Sequence, residues 1–171
     1  MPPELHCDPS QLNFNQVLAG RKEIEHVNPQ RFEMEQLTAI VHIDKDQHLV
    51  AGYKDVTADE FWVRGHMPDY PLMPGVLMCE AAAQLCSYYI MTSGLMQGDF
   101  LGFGGMENVR FRGPVRPGDR LVLIGKGVKM HRRQCIFNVQ GFVGSTMVFH
   151  ADIIGVPLVR NSGAAAGAEG S

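Results

Sequence analysis

The segment His66-Met67-Pro68-Asp69-Tyr70-Pro71-Leu72-Met73-Pro74-Gly75-Val76-Leu77-Met78-Cys79-Glu80-Ala81-Ala82-Ala83-Gln84 sets an imidazole and a carboxyl fourteen residues apart, with three prolines between them. An unperturbed imidazole titrates near ~6.5, so His66 can serve as a neutral base. Glu80 is the only carboxylate between Asp69 and Asp99, and its neighbours are Ala, Leu, Met and Cys. Poor hydration there favours the protonated carboxyl, which can then donate a proton at neutral pH. Gln84 lies one turn further along the same helix face, where it can orient Glu80.

The prolines stiffen the loop, and Pro74 ends it where a helix begins. Gly75 lets another molecule approach the backbone closely. The first N–H groups of that helix, at Gly75 and Val76, have no internal partner and carry the positive end of the helix dipole. Such a terminus suits a polarised carbonyl oxygen.

These groups need a frame. Gly75 to Ser93 contains no further Gly or Pro, is rich in Ala, Leu and Met, and stops at Gly94, a natural C-cap. Apolar residues lie nearly all round it, the mark of a buried helix. Most of the remaining chain reads as short strands. Leu37 to Ile43 and His48 to Thr57 flank the polar turn Asp44-Lys45-Asp46-Gln47 and form a hairpin. Asn108 to Val115, Arg120 to Met130, Cys135 to Gly144 and Thr146 to Val156 form a later run with short connections, which favours antiparallel pairing. One long buried helix against a bent antiparallel sheet is an α+β arrangement.

The chain has 171 residues, 45% apolar and 19% charged, enough for a single globular domain. A net charge of −3 argues against a basic nucleic-acid binder, and no apolar stretch is long enough to span a membrane. The N-terminus lacks the pattern of a secretory signal, so a cytoplasmic setting is expected. The four cysteines form no C-x-x-C pair, so a structural zinc site is not expected. Cys79 and Cys86 are separated by ~10 Å of helix, too far for a disulfide. Residues 1–12, with Pro2, Pro3 and Pro9, read as a loose arm, residues 13–160 as the domain, and the small-residue segment 161–171 as a disordered tail.

The His66–Gln84 segment resembles the hotdog-fold 3-hydroxyacyl-[acyl-carrier-protein] dehydratases of the FabZ/FabA type, whose signature is H-F-P-x-x-P-x-x-P-G-V-L-x-x-E-x-x-A-Q. The segment Val109-Arg-Phe-Arg-Gly-Pro-Val-Arg-Pro-Gly-Asp119 is similar to the family's R-F-R-x-P-V-x-P-G-D. Glu at position 80 looks like the FabZ branch, not the branch that also isomerises the double bond. Met67 stands where the family usually has Phe, and Asn28-Pro-Gln-Arg-Phe-Glu33 matches P-H-R-Y-P-F only at Pro29, Arg31 and Phe32.

The resemblance implies a hotdog fold, a long central helix wrapped by a bent antiparallel sheet. It implies reversible loss of water from a (3R)-3-hydroxyacyl thioester, with His66 taking the C2 proton, Glu80 protonating the departing hydroxyl, and the helix N-terminus polarising the carbonyl. No metal or redox cofactor is called for. It further implies a homodimer, perhaps a trimer of dimers, in which the two groups of one site come from different subunits. Met73, Met78, Leu85, Tyr88, Tyr89, Phe103 and Met106 are candidates for an acyl tunnel.

Residues 1–105 hold 6 Lys/Arg against 14 Asp/Glu, and residues 106–171 hold 9 against 4. Arg110, Arg112, Arg116, Arg132 and Arg133 are candidates for a patch that meets an acidic acyl carrier protein and its phosphopantetheine arm. A hotdog thioesterase, a coenzyme-A-linked hydratase and a non-catalytic acyl-binding subunit are the alternatives. The pairing of this His loop with a helix Glu speaks against a thioesterase, and retention of both groups speaks against a non-catalytic subunit.

Overall fold

The computed structural model describes residues 3–161. Of the tail expected at 161–171, only Asn161 falls within that range. The elements are a 3-10 turn Pro9–Gln11, α1 Arg21–Val27, a 3-10 turn Phe32–Met34, β1 Ala39–Asp44, β2 Leu49–Asp55, α2 Gly75–Ser93, β3 Phe100–Phe111, β4 Arg120–His131, β5 Gln134–Val143 and β6 Thr146–Leu158. The strands form one sheet in the order β1-β2-β4-β5-β6-β3, every neighbouring pair antiparallel.

Helix α2 has the bounds that its composition predicts. It starts directly after Pro74 and ends at Gly94, whose φ of 72° is the left-handed C-cap conformation that glycine adopts without strain. Its buried residues (Leu77, Met78, Ala81, Ala82, Leu85, Cys86, Tyr89 and Ile90 among them) lie on nearly every face. One side packs on the concave face of the sheet, against Val50, Leu121, Leu123, Phe137, Phe149 and Ile153. Leu85 sits over Gly52, where a Cβ would lie 3.1 Å from its Cδ1.

The convex face carries a second apolar cluster of Ala39, Val41, Leu49, Ala51, Tyr53, Val122, Ile124 and Phe142. Burial on both faces explains why, after exposed Arg120, β4 runs through five buried residues in succession and does not alternate. The cover on this side is the N-terminal segment. Cys7, Leu12 and Phe14 pack against the cluster. The His6 N–H donates to Gln140 Oε1 (3.1 Å), and Gln140 Nε2 donates to the Glu4 carbonyl (2.7 Å). The arm expected to be loose is therefore seated on the sheet, because the convex face is itself apolar and needs a cover.

Strand β3 also departs from expectation. It begins at Phe100 rather than Asn108 and ends at Phe111, short of Val115. Gly102, Gly104 and Gly105 lie before the expected start, yet the sheet uses them: a Cβ at Gly102 would lie 2.4 Å from a Leu158 methyl. Register shifts at Phe103/Gly105 and Glu107/Arg110 bend the strand, and Asn108 takes a positive φ of 53° at the second one. Strand β3 pairs only with β6, so it forms one edge of the sheet, with Phe103, Met106 and Phe111 exposed along it.

Candidate active site

The loop between β2 and α2 carries His66 and is pinned at several points. Val56 N–H donates to Asp119 O (3.0 Å), Met73 N–H to Val115 O (2.8 Å) and His66 N–H to Trp62 O (2.7 Å). Trp62 is buried and acts as the loop's anchor in the core. Met67 and Asp69 both have positive φ, which turns the chain sharply directly after His66. The imidazole Nδ1 lies 2.7 Å from the Leu72 carbonyl oxygen. A carbonyl only accepts, so Nδ1 carries the proton and the neutral ring presents a lone pair at Nε2.

At the start of α2, neither Gly75 nor Val76 N–H has a hydrogen-bond partner among the described residues, and no side chain caps this end. The two donors stand at the positive end of a 19-residue helix. Val76 is 67% exposed, so this terminus opens outward. The glycine expectation needs one amendment. What occupies the space beside the Gly75 Cα is the chain's own Phe111 ring: a Cβ there would lie 2.6–2.9 Å from three of its ring atoms.

Glu80 is half-buried on α2. Its Oε1 accepts a hydrogen bond from Gln84 Nε2 at 2.8 Å. Gln84 in turn donates to the Met34 carbonyl (2.6 Å) and accepts from the Gln36 N–H (2.9 Å). Within one chain Glu80 bonds to Gln84 and His66 bonds to Leu72, and no hydrogen bond joins Glu80 to His66. Burial pushes all four thiols, Cys7 included, upward, which disfavours the reactive thiolate. Cys79 and Cys135 are pushed up to about 11 and Cys86 well above its usual range. Among the described residues, no group of three or more His, Cys, Asp or Glu could hold a metal ion.

The tunnel candidates separate. Met73, Met78, Leu85 and Tyr89 are buried in the core beneath α2. Tyr89 OH lies 2.9 Å from His48 Nδ1, and its ring packs edge-on to Phe137. In the single chain Leu85 and Tyr89 are fully buried among core side chains. Tyr88 is at the rim, where burial first and then Glu23 push its phenol upward. Phe103 and Met106 lie on exposed β3.

The arginine candidates also fall into two groups. Arg116 stacks over the Tyr70 ring at 5.0 Å and donates to its hydroxyl, beside the His66 loop. Arg112 Nε donates to His150 Nδ1 (3.1 Å). Arg110 pairs with His150 in the β3–β6 register. Burial first, then Arg112 and Arg110, holds His150 below the ordinary imidazole range. Arg132, by contrast, lines a cavity of about 540 Å³ with Ile90, Gly94, Met96, Met130 and Cys135. That places it at the C-terminal end of α2, and Arg133 is its neighbour at the β4–β5 turn. The helix spans ~27 Å at 1.5 Å per residue, so the five arginines do not form one continuous patch.

A single long helix wrapped by a six-stranded antiparallel sheet, with a proline-rich His loop feeding its N-terminus, is the hotdog architecture. The FabA-like domain family matches residues 28–152, and the chain belongs to that family. A 3-hydroxyacyl-[acyl-carrier-protein] dehydratase FabZ of Desulfotalea psychrophila is 37% identical over 128 residues, 74% of this chain and 85% of the relative. The FabZ of Coxiella burnetii is 36% identical over 135 residues, 77% of this chain and 94% of the relative. Among solved structures, the dehydratase heterocomplex ApeI:P of Xenorhabdus doucetiae superposes with a TM-score of 0.65 at 14% identity, covering 81% of this chain and 91% of that one. At that identity the likeness concerns the fold.

Sequence reasoning missed the Phe111 ring over Gly75, the Leu72 carbonyl that sets the His66 tautomer, and the backbone groups of Met34 and Gln36 that grip Gln84. Each depends on a contact that no local pattern encodes.

Proposed function

We infer that the chain is a FabZ-type 3-hydroxyacyl-[acyl-carrier-protein] dehydratase of fatty acid biosynthesis. FabZ relatives align over most of its length, and the full His loop and helix Glu are retained. The observation that carries the mechanism is the Nδ1–H bond from His66 to Leu72, because it directs a free lone pair from Nε2.

In this reading the thioester carbonyl lies at the Gly75 and Val76 N–H groups, which hold the negative charge that develops on its oxygen. A donor of this kind is typically worth ~10²–10³ in rate. His66 Nε2 takes the C2 proton. The electron pair of that C–H bond becomes the C2=C3 double bond as the C3–O bond breaks. The hydroxyl leaves as water with a proton from Glu80, and solvent returns both groups to their starting forms. Each acid–base partner contributes ~10²–10⁴.

His66 and Glu80 do not meet by hydrogen bond within the chain, and β3 leaves an apolar edge uncovered. Both features support a homodimer in which each site takes its His from one subunit and its Glu from the other. Arg110, Arg112 and Arg116 lie on the side of the His66 loop and are the better-placed group to receive an acidic carrier protein.

Hydration of crotonyl thioesters, followed by absorbance, tests the proposal. The carrier-protein form should react faster than the coenzyme A form, and His66→Ala and Glu80→Gln should each lose ~10²–10⁴ in kcat. Wild-type rates in both variants would refute the assigned roles, and a preference for coenzyme A would favour the hydratase alternative.

A further inference from the structure

Gln84 is 2% exposed and every polar group on its amide is committed. Its carbonyl oxygen accepts from the Gln36 backbone N–H, a group that can only donate. Its amide nitrogen donates to the Met34 carbonyl, a group that can only accept. These two backbone contacts leave the side-chain amide one orientation, since a flipped amide would set N–H against N–H and oxygen against oxygen. The remaining amide hydrogen points to Glu80 Oε1 at 2.8 Å.

A consequence follows for the acid. Oε1 must act as an acceptor whether Glu80 is ionised or neutral. When the carboxyl carries a proton, that proton is on Oε2. Resting on the dehydratase reading above, we propose that Gln84 is a positioning residue: locked by Met34 and Gln36, it keeps Oε1 of Glu80 an acceptor and so presents the acid's proton from Oε2 to the departing 3-hydroxyl. The lock originates outside the helix. Asn28 Nδ2 also donates to the Gln84 carbonyl (2.9 Å), so the segment from Asn28 to Gln36 holds both the backbone and the side chain at this turn of α2. That segment is the one where the sequence departs most from the family pattern, yet the contacts it makes with the Gln84 side-chain amide come from its backbone at Met34 and Gln36, and only the Asn28 bond to the Gln84 main-chain carbonyl uses a side chain.

A pair of substrates isolates this role. A 3-hydroxyacyl thioester needs a proton at the leaving oxygen. The matching 3-chloroacyl thioester needs the same C2 proton removal and the same carbonyl stabilisation, but chloride departs with the C–Cl electron pair and takes no proton. In Gln84→Met, water elimination should fall about 10- to 100-fold, the scale of a misplaced catalytic group. Chloride elimination by the same preparation should stay within threefold of wild type. A merely structural residue would slow both reactions together, because both use the same fold, His66 and helix terminus. Equal loss on both substrates, or loss on neither, overturns the proposal.

Glu80→Gln serves as the control for the underlying reading. If it too loses only water elimination, Glu80 is the acid and the Gln84 result stands on its own. If Glu80→Gln treats both substrates alike, Glu80 is not the acid and the Gln84 proposal falls with that role; if the wild type eliminates neither leaving group, the dehydratase assignment itself falls, and the proposal with it.

Discussion

The Phe111 ring fills the space that Gly75 leaves by having no side chain. A Cβ at position 75 would lie 2.6 Å from Phe111 Cζ, and the ring is itself held in a near-parallel stack on Phe149 (18°, centroids 5.8 Å apart). Close packing of this kind cannot absorb an extra methyl without displacement. Gly75→Ala should therefore move the ring or the first turn of α2. We expect a loss of about 1–3 kcal/mol in stability, the usual range for overpacking, and at least a tenfold loss in kcat. Adding Phe111→Ala should recover most of the stability, since Ala is preferred to Gly in a helix by roughly 0.5–1 kcal/mol. Thermal unfolding of the two single variants and the double variant checks the coupling.

The proposed sharing of each site between two subunits predicts the outcome of mixing inactive chains. In a mixed dimer of His66→Ala and Glu80→Gln, one site receives both defects and the other receives neither. In the isolated mixed dimer one site of two works, so activity should return to about half of wild type, and to about a quarter in an unfractionated random mixture, by this symmetry argument. Co-expression with two affinity tags and assay of the doubly tagged fraction measures it. No recovery in that fraction would place both groups of a site in one chain.

His150 gives a pH dependence of stability with a definite sign. Burial and the neighbouring Arg112 and Arg110 lower its folded titration point below the unfolded value. The unfolded chain then binds the proton more readily, so stability is greatest above the ordinary imidazole range near ~6.5 and falls as pH drops through it toward the folded value. Part of the loss in melting temperature between about pH 7 and pH 5 should vanish in His150→Asn. An unchanged slope in that variant would remove His150 as its source.

Helix α2 was legible in the sequence to the residue because its limits are local: Pro74 before it, Gly94 after it, nothing between to break it. The His loop and the helix Glu were legible for the same reason, as a contiguous segment. Strand β3 was not, because glycines at 102, 104 and 105 look like a loop until β6 supplies the neighbours that require them. Nor was the seating of the N-terminal arm, which depends on a convex sheet face being apolar. The Gln84 lock joins groups 48 and 50 residues apart, beyond the reach of any periodicity.

The arm makes its own prediction. Phe14 packs edge-on to Tyr53 at 5.8 Å, and the Arg120 guanidinium lies over both rings. Phe14→Ala should cost about 1–2 kcal/mol, a partial share of a fully buried aromatic. Deleting residues 1–14 should expose the Val41, Tyr53 and Phe142 cluster, lower the melting temperature further and raise binding of an apolar dye. Activity per folded molecule should survive, since none of these residues adjoins His66 or Glu80.

A charge is buried beneath the loop that leads to His66. Lys54 of β2 is 2% exposed, and its Nζ meets Glu60 at 2.9 Å. Glu60 is in the loop that leads to Trp62 and His66, so the pair ties that loop to the sheet. Removing Glu60 takes away the carboxylate in direct contact with the Lys54 ammonium and leaves Glu33, Glu35 and Asp59, which line the same pocket, as its nearest acidic neighbours there. Breaking such a pair from one side typically costs 3–5 kcal/mol, while replacing both partners with apolar residues of similar volume is often neutral. Glu60→Ala should therefore be the most destabilising of three variants, Lys54→Met milder, and Lys54→Met with Glu60→Leu close to wild type in stability. Activity should separate from stability in the double variant. Its fold is intact but the loop has lost its ionic tether, so kcat should fall while the melting temperature holds. If Glu60→Ala unfolds no more easily than the double variant, the pair carries no net burial penalty and the tether argument fails.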